Sequence, residues 1–178
     1  MKKITFLLLS FVFIQFATAQ KVYSTKAGQL VFDATGEAVK IVAVNNQVDS
    51  KFVETTGQII FGVLIKSFRF ENQLMEDHFN ENYMESTKYP KADFKGYITN
   101  IKEVAFAKDG SYPIQVDGVL TLHGVSNKIS VKGILSIQNG VPNIKGDFKI
   151  PIKQYAIKGS YIGDKIAETA TVKLNCKY

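Results

Sequence analysis

The chain has 178 residues, with 22 lysine and arginine residues against 16 aspartate and glutamate residues, which gives a formal net charge of +6. The basic residues are scattered and form no dense block or basic helix, so nucleic acid is not an expected partner. The one cysteine, Cys176, excludes an intramolecular disulfide and is predicted to be a buried structural thiol.

Residues 1–19 have the three parts of a secretory signal peptide. A basic start at residues 1–3 is followed by an apolar run over residues 4–16 and by the small residues Ala17-Thr18-Ala19. A transmembrane anchor is the alternative, but the apolar stretch is shorter than the roughly 20 residues that span a bilayer. We therefore expect cleavage after Ala19, no transmembrane anchor, and one domain over residues 20–178 that is periplasmic or secreted.

The first half of this domain contains short apolar segments that predict strands at residues 22–27, 30–34, 39–44 and 58–70. Both faces of the last segment are apolar, so another element is expected to cover its outer face. The predicted cover is a helix, because apolar residues recur at three- and four-residue intervals between Asn72 and Ser86. Asn72 suits the N-cap of this helix, and the helix is expected to stop before Pro90.

The second half alternates apolar and polar residues, which predicts strands with one face inward and the other in water. Turn signals at Asp109-Gly110, over residues 123–128 and at Asn139-Gly140 separate these strands. The alternation covers residues 112–122, 129–137, 144–150 and 166–177.

Many strands joined by short turns indicate an antiparallel sheet, arranged as a sandwich or as a closed barrel. Closure removes exposed strand edges, and glycines in mid-strand permit the bends that a barrel wall requires. Such glycines occur at Gly118, Gly133 and Gly146. The predicted fold is therefore all-β, an antiparallel barrel with one short α-helix.

Two motifs resemble those of the YceI-like family. The first is Met-Glu-Asp-His-Phe at residues 75–79, followed by Tyr-Pro-Lys-Ala-Asp-Phe at residues 89–94. The second is Val-Leu-Thr-Leu-His-Gly-Val at residues 119–125, where a strand runs into a turn. The resemblance implies a lipocalin-like antiparallel barrel of a polyisoprenoid-binding kind, with an isoprenoid or other lipid-like small molecule as its partner.

Binding of an apolar chain requires a tunnel that side chains leave unfilled. The alternative is a solid interior filled by aromatic residues, which would make the chain a structural or protein-interaction module without a small-molecule ligand. The alternation gives the candidate lining residues, and His78 is a candidate contact for the ligand headgroup. The predicted lining is Phe61, Val63, Ile65, Phe94, Ile98, Ile114, Val116, Leu120, Leu135 and Phe148.

The chain has two histidines, His78 and His123, which restricts the enzyme chemistry available to it. Their spacing does not match a zinc motif, and the sequence lacks a nucleophile elbow, a phosphate loop and a dinucleotide fingerprint. We therefore expect no catalytic residue, no metal and no cofactor. A structural hydrogen bond is the simpler role for each histidine, while an enzyme acting on a lipid-like substrate through His78 remains an alternative. The sequence leaves open whether the protein is a monomer or a homodimer.

Overall fold

The computed structural model describes residues 20–178, and the predicted signal peptide at residues 1–19 lies outside them. One α-helix, α1, covers Gln73–His78 and continues as a π-helical turn over Phe79–Tyr83. Single 3-10 turns lie at Ile65–Ser67, Ile101–Glu103 and Ile152–Tyr155. The strands are β1 Val22–Thr35, β2 Val42–Val53, β3 Gln58–Leu64, β4 Arg69–Phe70, β5 Lys91–Ile98, β6 Gly110–Leu122, β7 Val125–Gln138, β8 Val141–Pro151 and β9 Ile166–Lys177.

These strands form a closed antiparallel barrel. In the order β1-β9-β8-β7-β6-β5-β3-β2 each strand pairs with the next, and β2 pairs with β1 to complete the ring. The short strand β4 pairs with Ala43 and Val44 of β2, farther along the same edge that β3 pairs with. The prediction of an all-β antiparallel barrel with one short helix is confirmed, and the sandwich alternative is wrong because one continuous sheet closes on itself.

The two hairpins of the second half have two-residue turns. His123 and Gly124, which link β6 to β7, have φ angles of 50° and 75°, as a type I′ turn requires. The prediction of a longer turn, reaching residue 128, is wrong. Asn127 interrupts the apolar alternation there, although its side chain is satisfied because its amide donates a hydrogen bond to the backbone oxygen of Gln154.

The strands of the first half are longer than predicted. β1 is one strand rather than two, with register shifts on both sides of Gly28 where the sequence pattern breaks. β2 begins later than the predicted strand 39–44 and continues to Val53 past two polar residues, Asn45 and Ser50, that are fully buried. The Asn45 amide donates to the backbone oxygen of Leu64, and its side-chain oxygen accepts from the backbone N–H of Gln47. These bonds satisfy an inward polar group that the alternation could not assign.

The predicted strand at residues 58–70 is divided. β3 ends at Leu64, and a 3-10 turn separates it from β4. The outward side chains Ile60 and Leu64 are exposed, so the helix does not cover the outer face of β3 as predicted. Helix α1 is also shorter than predicted, although Asn72 is its N-cap and accepts a hydrogen bond from the backbone N–H of Leu74.

The helical segment, residues 72–86, packs against the end of the barrel instead. The ring of Phe79 lies 5.9 Å from that of Phe32, 5.6 Å from that of Phe68 and 5.0 Å from that of Phe70, measured between centroids. Phe32 belongs to β1, and Phe68 and Phe70 lie between β3 and α1. The helical segment thus covers one end of the barrel interior.

Candidate functional site

The barrel encloses an apolar cavity of about 360 Å³. This volume lies within the range of about 300 to 1,000 Å³ that small-molecule sites have in proteins. Its wall is formed by inward side chains of β1, β3 and β5 to β9, by the helical segment, and by the connection between β8 and β9. The cavity is therefore the interior of the barrel itself and not a groove on its surface.

Several inward aromatic side chains keep accessible surface although they point into the barrel. Phe32, Phe61 and Phe148 are only partly buried, and all three line the cavity. A tightly packed interior would bury such side chains completely. The alternative of a solid aromatic core is therefore wrong for this part of the barrel.

Most of the side chains predicted to line a tunnel do so. The structure places Phe61, Val63, Ile65, Phe94, Ile114, Val116, Leu120 and Phe148 on the cavity wall, together with His78. The prediction that Ile98 and Leu135 lie on the wall is not met. They are 1% and 0% exposed and belong to the packed core beyond one end of the cavity. Alternation identified their inward face but not their position along the barrel axis.

The sequence analysis missed wall residues from β1, from the segment between β3 and α1, from the helical segment and from the loop before β9. Their apolar character was visible, but the bulged strand, the π-helical turn and the irregular loop have no constant period from which facing could be deduced. These residues include Leu30, Phe32, Phe68, Phe70, Met75, Phe79, Tyr83, Met84, Ile157, Tyr161, Ile162 and Lys165.

Packed side chains close the end of the barrel opposite the helical segment. We call this set the floor: Tyr23, Phe52, Phe106, Tyr178, Ile98 and Leu135. The Phe52 ring lies at its centre, with ring centroids 4.7 Å from Tyr23, 6.1 Å from Phe106 and 5.0 Å from Tyr178. Contacts between aromatic rings at these distances stabilise the floor beyond the effect of burial alone.

A small polar cluster is buried beside the floor. The hydroxyl oxygens of Ser50 and Tyr178 lie 2.6 Å apart, so each satisfies the other away from water. Cys176 is fully buried, as predicted, and burial raises the pKa of its thiol to about 12. Burial also raises the pKa of Tyr178. Both groups therefore keep their protons at neutral pH, and Cys176 is a structural thiol.

His123 connects three parts of the chain at the end of the barrel that the helical segment covers. Its ring is 7% exposed; Nε2 lies 2.9 Å from Oε2 of Glu85, and Nδ1 lies 3.2 Å from the backbone oxygen of Tyr155. The Tyr89 ring packs against it with centroids 4.4 Å apart. These contacts join the β6–β7 turn to the end of the helical segment and to the 3-10 turn after β8, which agrees with a structural role for His123.

His78 has a different environment. It is exposed, lies on the cavity wall at the end of α1, and makes no side-chain hydrogen bond to any residue between 20 and 178. Two exposed wall residues, Tyr161 and Lys165, lie outside the strands in the connection between β8 and β9. The Lys165 ammonium lies 4.8 Å from the centre of the Tyr161 ring. We call His78, Tyr161 and Lys165 the mouth residues, because they are exposed wall residues that lie outside the strands, at the end of the barrel that the helical segment covers.

A second recess, of about 350 Å³ and more polar, lies beside the His123 contacts. Tyr83 lines both this recess and the apolar cavity. Within residues 20–178, the structure does not gather three or more histidine, cysteine, aspartate or glutamate side chains into a metal-binding group. None of the helices in the same range has the length and apolar character to span a membrane.

Comparisons with known proteins agree with this architecture. A family model described as the YceI-like domain matches residues 13–178. A polyisoprenoid binding domain from Saccharophagus degradans, implicated in plant cell wall breakdown, has a similar structure, with a TM-score of 0.76 at 15% identity over 90% of this chain and 97% of that one. BcnA from Burkholderia cenocepacia gives a TM-score of 0.70 at 14% identity over 85% of this chain and 96% of its own.

The YCEI protein of Campylobacter jejuni is a more distant match, with a TM-score of 0.51 at 14% identity over 98% of this chain and 93% of its own. A comparison with curated protein sequences found no match. At these identities the structural likenesses describe the fold alone, while the family match covers both motifs noted in the sequence.

The two histidines should differ in their effect on stability. Replacing His123 with Ala removes a buried side chain and leaves the Tyr155 carbonyl without its partner, so we expect the free energy of unfolding to fall by about 2 kcal/mol. His78→Ala, at an exposed position, should change it by less than about 0.5 kcal/mol. Urea unfolding followed by circular dichroism measures both values, and equal effects would contradict the structural role assigned to His123.

The buried thiol should make the fold sensitive to alkaline pH. The pKa of Cys176 is raised in the folded state to about 12, whereas the thiol of an unfolded chain has a pKa of about 8.5. Its contribution to stability is therefore complete below about pH 8.5 and is lost as the pH rises toward 12. Between about pH 8.5 and 10, the free energy of unfolding should decline less steeply for Cys176→Ala than for the unchanged protein, and parallel curves would refute this effect.

Proposed function

This chain belongs to the YceI-like domain family, and from that premise we propose that it binds a lipid-like or isoprenoid small molecule inside its barrel without acting as an enzyme. The single observation that supports this most strongly is the apolar cavity of about 360 Å³ within the ring of strands. A polyisoprenoid binding domain with the same fold is consistent with this class of ligand.

The wall chemistry favours a hydrocarbon chain over a polar ligand. Below the mouth, the wall consists largely of isoleucine, valine, leucine and phenylalanine side chains from facing strands. Transfer of an apolar chain from water into such a cavity yields about 25 cal/mol for each Å² buried, before the cost of ordering the ligand. Affinity would therefore come mainly from the area of chain enclosed, and shape rather than hydrogen bonding would select it.

The mouth residues are suited to the polar end of the same molecule. His78, Tyr161 and Lys165 combine exposure to solvent with a position on the cavity wall. They supply hydrogen-bond donors at the open end of a cavity whose interior side chains are mostly apolar. We therefore assign the headgroup to the mouth and the apolar chain to the interior, an arrangement in which a few polar groups orient a mostly apolar ligand.

We also propose that the protein is exported, to the periplasm or to the medium, after removal of residues 1–19. The support is the three-part pattern of that segment. Mass spectrometry of the protein isolated from cells that produce it should give a chain that begins at Gln20. An intact chain that begins at Met1 in the cytoplasmic fraction would contradict the proposal.

Filling the cavity should abolish ligand binding. A side chain at Gly146 would point into open space, since the nearest atom to its Cβ among the described residues is Val131 Cγ1 at 3.9 Å. Val suits a strand position better than Gly does, so Gly146→Val should fold with unchanged or greater stability. After incubation with a bacterial lipid extract and re-isolation, the unchanged protein should carry a lipid detectable by mass spectrometry, and Gly146→Val should carry none.

Gly62→Val is the matched control for this experiment. Gly62 lies on β3 between two inward residues and pairs with the exposed Asp93 and Asp49, so the same side chain is added to the outer surface. This variant should retain the lipid. Repeated absence of lipid from the unchanged protein, or equal loading of the Gly146 variant, would refute binding inside the barrel.

A further inference from the structure

We infer that the floor sets the greatest length of apolar chain that the barrel accepts, an inference that rests on the proposed function. The floor and the helical segment lie at opposite ends of the cavity, as β6 demonstrates. Tyr112, near its first residue, pairs with the floor residue Leu135, whereas His123 directly after its last residue contacts Glu85 of the helical segment. A chain that enters past the mouth residues therefore meets the floor with its tip.

The floor borders the cavity directly. Leu135 pairs across strands with Ile144, Phe52 with Ile59, and both Ile144 and Ile59 lie on the cavity wall. Ile98 pairs in the same way with Val116, another wall residue. Each of these floor residues is thus one cross-strand step from the wall, and their near-complete burial means that the space beyond the wall is occupied by protein.

The floor is also rigid in its construction. Phe52 is fully buried between the rings of Tyr23 and Tyr178, with centroids 4.7 and 5.0 Å away. The hydroxyl of Tyr178 is held by Ser50, and that of Tyr23 donates to Glu54 at 2.9 Å. Movement of either tyrosine to admit a longer chain would break a hydrogen bond as well as a ring contact, so the floor acts as a fixed stop.

The depth of the cavity follows from β6. Its wall residues extend from Ile114 to Leu122, which at about 3.4 Å per residue and a strand tilt near 40° corresponds to a depth of about 20 Å along the barrel axis. Each added methylene group should tighten binding by about fourfold until the chain spans this depth. Further carbons remain in water at the mouth and should add almost nothing.

The test is a series of saturated fatty acids from eight to twenty carbons, each titrated against protein that carries the fluorescent dye 1-anilinonaphthalene-8-sulfonate. For the unchanged protein, the logarithm of the dissociation constant should fall steadily with chain length and then become constant at a definite length. Leu135→Ala opens space in the floor, so this length should increase. Ile144→Phe adds a ring just above the floor, so the length should decrease.

Ile134→Ala is the matched control, because Ile134 is the neighbour of Leu135 on β7 but is 49% exposed on the outer surface. It should leave the length unchanged. If Leu135→Ala fails to fold, the shift expected for Ile144→Phe still decides the question. A length that stays constant in every folded floor variant would overturn the inference, whereas failure of the unchanged protein to bind any fatty acid or polyprenol would count against the proposed function itself.

Discussion

The pairing of β1 with β9 on one side and with β2 on the other holds the interior of this protein open. A closed ring of eight strands has a diameter fixed by strand number and tilt, so its walls cannot collapse onto a vacant centre as two sheets of a sandwich could. Side chains then decide how much of the centre is filled. Here the floor fills one end, and glycines such as Gly146 leave room farther along the wall.

Polar contacts hold the two ends of the barrel in place. Near the floor, the Ser50 and Tyr178 hydroxyls satisfy each other, and near the mouth His123 connects Glu85 to the backbone of Tyr155. Ser50 and His123 are polar residues at buried positions, where apolar residues are more usual. Because hydrogen bonds are directional, these contacts specify which segments of the chain meet, whereas apolar contact alone would tolerate several arrangements.

The sequence predicted the fold more completely than the site. Strands β6 to β9 were identified because polar outward residues alternate with apolar inward ones, and the barrel followed from their short turns and mid-strand glycines. The continuation of β2 was missed because Asn45 and Ser50 are polar yet face inward, with partners supplied by distant residues. Ile98 and Leu135 were given the correct face but lie off the cavity wall, since alternation carries no information on height along the axis.

The ring of strands closes only when β9 pairs with β1, and this requirement affects the folding of the chain. β1 is made early in the chain, yet one of its edges has no partner until β9 is available, so the last element to be synthesised among the described strands completes the fold. Topologies dominated by distant contacts of this kind fold slowly. Until then the chain presents two free edges and an apolar inner surface, the features by which incomplete β-proteins associate with one another. Assistance from chaperones during synthesis would relieve this vulnerability, which arises from the same closure that later encloses the cavity.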